Sequence, residues 1–180
     1  MTTTKIHPAR QWKSEPAFTL VELLGVIVII GILAGITLGG AGAVRRHGAT
    51  SQAKAEIAAL QAACERYFAD NQSYPSNTAV NPSSSFSPTA AAYTGAGSSL
   101  FTALFGTNQF NRAPMGKRFF EPKASMVNST NSPNAYFVDP WGYAYGYNSD
   151  GINPPLIWST GGQTTGGANT NKWLTSWPKK

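Results

Sequence analysis

The sequence predicts an α+β fold, a long N-terminal helix packed on a small antiparallel sheet, with the helix apolar in its first half and amphipathic in its second. Three observations lead there. No charged residue occurs from Leu23 to Val44. Apolar residues then recur at helical spacing as far as Phe68. The last third alternates large and small residues between turn-forming clusters, as half-buried strands do.

The uncharged run, about 22 residues, is long enough to cross a bilayer as a helix. Lys5, Arg10 and Lys13 precede it and bias the N-terminus toward the cytoplasm, whereas Arg45 and Arg46 on the far side weaken that bias. A secretory signal places a small-residue cleavage site after a shorter apolar core. Here the small junction Pro16-Ala17 stands before the run. Cleavage there leaves the apolar segment as the start of the mature protein.

Glu22 is the one carboxylate at the edge of this segment. A charge in an apolar segment is costly to insert and usually has a partner. A cut before Phe18 creates an α-amine four residues upstream of Glu22, on the same chain or on a neighbour in a helical stack. The alternative is a plain flank residue at the headgroup boundary, and the residues alone leave both open. Gly31 and Gly35 are spaced for close helix approach, and Gly39-Gly40 softens the helix locally.

Beyond Arg46, residues Ala53, Ile57, Leu60, Cys64, Tyr67 and Phe68 share one helical face, with Lys54, Glu56, Gln61 and Glu65 mostly off it. One helix is therefore expected from about Thr19 to about Ala69, halted by Asp70-Asn71-Gln72-Ser73 and Pro75. Its second face is read as head core. Cys64, the single cysteine, excludes an internal disulfide and reads as a small buried hydrophobe. Residues 76–135 read as variable loops, with Pro82–Ser85 and Gly95–Ser99 loop-like and Leu100–Phe105 a helical turn. Ala135–Val138 and Tyr143–Tyr147 read as strands. Asn148–Gly151 is a hairpin turn, Leu156–Ser159 the return strand, and Trp173 and Trp177 pack on the sheet.

Composition narrows the function classes. Charged residues are 12% of the chain, and the net charge of +6 comes from scattered Lys and Arg without an aromatic-interleaved stripe, so nucleic acid is not an expected partner. The two histidines, His7 and His47, lie in the leader and beside the apolar run. No acid/base pair or nucleophilic triad can be assembled from them, and no enzyme activity is expected.

The segment Ala17-Phe18-Thr19-Leu20-Val21-Glu22-Leu23-Leu24 resembles the processing site of type IV prepilins and type II secretion pseudopilins. The block Asp139-Pro140-Trp141-Gly142-Tyr143-Ala144-Tyr145-Gly146-Tyr147 is similar to the Asp-Pro-Trp-Gly-x-x-Tyr signature of the major pseudopilin, and Ile157–Gly162 to the strand and loop after it. The resemblance implies a pilin-like fold. It also implies a prepilin peptidase that cuts between Ala17 and Phe18 and methylates Phe18, with Glu22 needed for assembly. Ala17 departs from the usual glycine. The organisation implied is a leader over 1–17, a transmembrane and filament-core helix over 18–44, and a head over 45–180. The head comprises an amphipathic helix over 49–69, variable loops over 76–135 and a β region over 135–177.

The same resemblance implies a bacterial inner-membrane protein with a single span, cytoplasmic N-terminus and a head in the periplasm or outside. Its partners are the peptidase, copies of itself, other pseudopilins or pilins, and the inner-membrane assembly platform. The expected role is a structural pseudopilin of a type II secretion system. A major or minor type IV pilus subunit is the alternative, and a single-span membrane-anchored surface binding protein the alternative of another class. In that family calcium often staples the C-terminal loop. A hard cation wants several carboxylates, and between Thr160 and Lys172 there are none, leaving Asn169 and Asn171 as weak candidates and no cofactor expected.

Overall fold

The computed structural model describes residues 18–82, 87–164 and 172–178, without the side chains of residues 37–41. Two compact units divide the chain, Met1–Ala43 and Val44–Lys180. After Phe18 and Thr19, helix α1 (Leu20–Asn71) accounts for the described part of the first unit and continues into the second. In the first unit its described apolar side chains are all exposed, Leu23 at 60% and Ile36 at 69%. A methyl group added at Gly25, Gly31 or Gly35 would meet nothing within 4 Å. An apolar surface of this size marks a membrane or a protein partner.

In the second unit α1 does what its periodicity demands. Ala53, Ile57, Leu60, Ala63 and Cys64 are buried, and Tyr67 and Phe68 pack at the edge of the same core. The Cys64 thiol is free, and burial pushes its pKa up to about 12, so it behaves as a hydrophobe. The helix ends where turn formers begin. Gln72 takes a left-handed φ of 56° and its N–H bonds the Phe68 carbonyl at 2.8 Å, while the Asn71 amide caps Tyr67 O at 2.9 Å.

Helix α2 (Ala91–Phe105) replaces the expected loop at Gly95–Ser99 and extends the expected turn at Leu100–Phe105. Glycine propensity argued against it, but burial wins. Tyr93, Ala96, Leu100, Phe101, Leu104 and Phe105 form one buried face. Gly97 lies against the sheet side, where a Cβ would sit 3.2 Å from Tyr136 Cβ. Gly106, at φ 79°, closes the helix with its N–H on Thr102 O at 3.0 Å.

The sheet has three antiparallel strands in the order β1 (Gly146–Asn148), β2 (Leu156–Ser159) and β3 (Leu174–Thr175). Register sets Tyr147 opposite Ile157 and Trp158 opposite Thr175. The strand expected at Ala135–Val138 reduces to single bridges, Val127 with Phe137 and Val138 with Ala144. The reason is the tight loop after it, which uses the backbone of Asp139 and Tyr143 for a turn instead of a ladder. The Asn148–Gly151 hairpin turn also opens, with residues 149–155 joining β1 to β2. Ser149 and Gly151 are instead bonded to the segment after α1, through Asn77 and Tyr74.

Trp158 is the centre of the core, fully buried. It stacks on buried Trp173, with Trp177 and Tyr93 meeting it edge-on. Gly146 makes this possible: a Cβ there would lie 2.0 Å from the Trp158 ring. The result is the expected α+β, pilin-like arrangement of a long helix and a small antiparallel sheet, with an additional helix, α2, against β1.

Candidate functional site

At the start of α1, Thr19 is the residue before the first helical turn and Glu22 the third residue within it. The spacing makes a capping box. Glu22 Oε2 accepts the Thr19 N–H at 2.9 Å and the Thr19 hydroxyl at 2.8 Å, and the Thr19 hydroxyl oxygen in turn accepts the Glu22 N–H at 3.3 Å. The Glu22 carboxylate thus satisfies helix-end donors. Phe18 stands one residue outside the cap, 75% exposed. Ala17, Asn169 and Asn171 lie outside the described residues. Thr19 was not singled out from the sequence, although the Thr-x-x-Glu spacing carried the signal.

The head is organised around a second carboxylate. Asp139 is buried, and its Oδ1 accepts the N–H groups of Trp141 and Tyr143, both at 3.0 Å, while Oδ2 accepts the Ser159 hydroxyl at 2.6 Å. Its own N–H bonds Tyr143 O, and its carbonyl accepts the Gly142 N–H, both at 2.8 Å. One side chain therefore folds the Asp-Pro-Trp-Gly block into a turn and ties it to β2. Burial holds the Asp139 carboxyl above its ordinary range, against the lowering effect of these bonds, and the charge of Glu56 adds to the rise.

Glu56 is itself buried on α1. It accepts the Tyr145 hydroxyl at 2.6 Å and the Gln52 amide at 2.8 Å, joining α1 to the same block. The sequence reading placed Glu56 off the core face; its tyrosine partner lies 89 residues away and no local pattern announces it. Burial and the Glu56 carboxylate drive the Tyr145 phenol upward, so it remains a donor at any physiological pH.

The loop after β2 is a tight turn over Thr160–Gln163, with Gly161 at φ 62°, Gly162 at φ 83° and the Gln163 N–H on Thr160 O at 3.2 Å. Both positions require glycine for space as well as φ. A Cβ at Gly161 would sit 2.5 Å from Lys172 O, and one at Gly162 2.9 Å from the Trp141 ring. The described part of this loop does not fit a calcium ion. The cavity beside it carries Arg46 and Lys172 and no carboxylate, and no group of three metal-ligating side chains occurs among the described residues.

Among the described residues no helix is long and apolar enough to cross a membrane. The described side chains of the apolar stretch stop at Ile36 and resume at Gly42.

Residues 12–38 match the family model of the prokaryotic N-terminal methylation motif. Over 162 residues the chain is 26% identical to the type II secretion system core protein G of Pseudomonas aeruginosa, a match that covers 89% of this chain and 93% of that protein. No solved structure matches. The resemblance carried by the Ala17–Leu24 segment and the Asp139–Tyr147 block is therefore part of a similarity that runs along most of the chain.

Proposed function

We propose that this pseudopilin-like chain is a structural subunit of a type II secretion system, cut before Phe18 and assembled through α1 into a membrane-rooted filament. The observation that carries the reading is the coincidence of the methylation motif with the start of α1. The cut bond falls immediately before the residue that precedes the capping box. A new ammonium at Phe18 stands at the positive end of a helix dipole, an unfavourable place for a cation. The Glu22 carboxylate, already at that end, offsets it on the same chain or on the neighbour below. The exposed apolar half of α1 supplies the surface that lipid and then neighbouring helices cover.

The partners follow from this reading: the prepilin peptidase, other copies and related subunits, and the inner-membrane platform, with the head outside the inner membrane. Asp139, Ser159 and Glu56 hold the head together, and the role is assembly without turnover of a substrate. The similarity to core protein G favours secretion over a pilus. Deleting the gene in its own host is expected to stop export of the secreted enzymes and leave surface pili intact. Loss of pili with secretion preserved would overturn the assignment and favour the pilus subunit.

A further inference from the structure

Beside the Thr160–Gln163 turn a cavity of about 540 Å³ opens between α1 and the loop after β2. Its charged lining residues are both cations, Arg46 and Lys172. The ion pairs among the described residues are Lys117 with Asp70 and Arg118 with Glu121, so neither lining cation has a carboxylate partner there. The indole of Trp141 forms another wall, and its N–H has no partner among the described residues. The walls are fixed by packing, since Gly161 and Gly162 leave no room for a side chain against Lys172 and Trp141. Two unpaired cations and an indole donor with no acid among them fit a phosphate oxyanion.

Two further observations suit a lipid headgroup, and the second of them chooses it over free phosphate. Gln163 Oε1 is buried in the lining without a hydrogen-bond partner. It is an acceptor, and it suits the hydroxyl or ammonium that a glycerol or ethanolamine headgroup carries beyond its phosphate. The position also suits. Arg46 follows the end of the uncharged run, Val44, by two residues, about 3 Å along the helix axis, and Thr50 by about 9 Å. The headgroup layer on each side of a bilayer is about 5–8 Å deep.

We propose that this cavity binds the phosphodiester headgroup of an outer-leaflet phospholipid of the inner membrane, and so sets the depth at which the head rests before assembly. The proposal rests on the membrane-rooted reading. Arg46 and Lys172 hold the phosphate, the Trp141 N–H donates to it, and Gln163 accepts from the headgroup's terminal donor.

The test uses the full chain in detergent, with phosphatidylglycerol added and bound lipid counted by native mass spectrometry. Wild type is expected to hold one tightly bound lipid. The pair Arg46→Gln with Lys172→Gln is expected to weaken it about thirtyfold, the effect of two surface charges, and the pair Arg46→Lys with Lys172→Arg to retain it. All four side chains changed are exposed at the residue level, so an unaltered melting curve will accompany each variant. The pair Arg45→Gln with Lys54→Gln, cations outside the cavity lining, should leave the lipid bound. Equal lipid binding in the first pair, or an equal loss in the last, overturns the site. Saturation by inorganic phosphate with lipid binding untouched by the substitutions assigns free phosphate and overturns the lipid. Vesicle flotation separates the two levels: a wild-type chain that fails to float overturns the membrane reading, and this proposal with it, whereas a floating chain without the substitution effect overturns this proposal alone.

Discussion

Glu22→Ala is expected to insert into membranes as wild type does and to disappear from sheared filaments. The apolar surface that drives insertion is unchanged, since Leu23, Ile27, Ile30 and their neighbours remain. What the substitution removes is the carboxylate facing the helix end and any amine placed there. Two roles are lost together, the cap on Thr19 and the charge. Glu22→Gln separates them, because a glutamine at this position still completes a capping box but carries no charge. Filaments are expected to be absent from this variant as well. Normal incorporation of Glu22→Gln would assign Glu22 to helix capping, and normal incorporation of Glu22→Ala would make it a headgroup flank with no part in assembly.

Asp139→Ala should lower the stability of the head by about 3–5 kcal/mol, because three donors lose a buried acceptor at once. In a domain of this size that corresponds to roughly 10–20 °C in melting temperature. Asp139→Asn should behave differently. Its amide oxygen can still accept the Trp141 and Tyr143 N–H groups, and the Ser159 hydroxyl can rotate to accept from the new NH₂. The pH dependence distinguishes the two side chains further. Burial raises the Asp139 carboxyl in the folded state above its unfolded value, so its contribution is full below the unfolded value and is lost as pH rises through the folded one. Thermal melts across mildly acidic pH should show this decline in wild type and not in Asp139→Asn. Equal slopes would show that the Asp139 carboxyl is not raised by folding.

Much of the fold was legible because its signals are local. The uncharged run, the 3.6-residue recurrence from Ala53 to Phe68 and the Leu156–Ser159 strand each announce themselves within a few turns of chain. Helix α2 was not legible, since its glycines and serines argue for loop and only the packing of Tyr93, Leu100 and Leu104 overrides them. The strand at Ala135–Val138 misled for a related reason: its residues suit a strand, but Asp139 turns the chain before a ladder can form. For the site, spacing and chemistry single out Phe18 and Glu22, and the proposed roles of both rest on them. The tie between Glu56 and Tyr145, the reach of Asp139 to Ser159 and the meeting of Arg46 with Lys172 depend on residues 20 to more than 100 positions apart. No periodicity records such pairs.

The same distinction shows where Ala17 matters. The capping box begins after Phe18, at Thr19, so on the proposed reading substitutions at position 17 are expected to change cleavage. The most direct test is the identity of the mature N-terminus. The full chain is co-expressed with a prepilin peptidase, purified from membranes and measured by intact-protein and peptide mass spectrometry. The account predicts a chain that begins at N-methylated Phe18 and retains the whole of α1. A chain left uncut, or one cut after the apolar run, would contradict it.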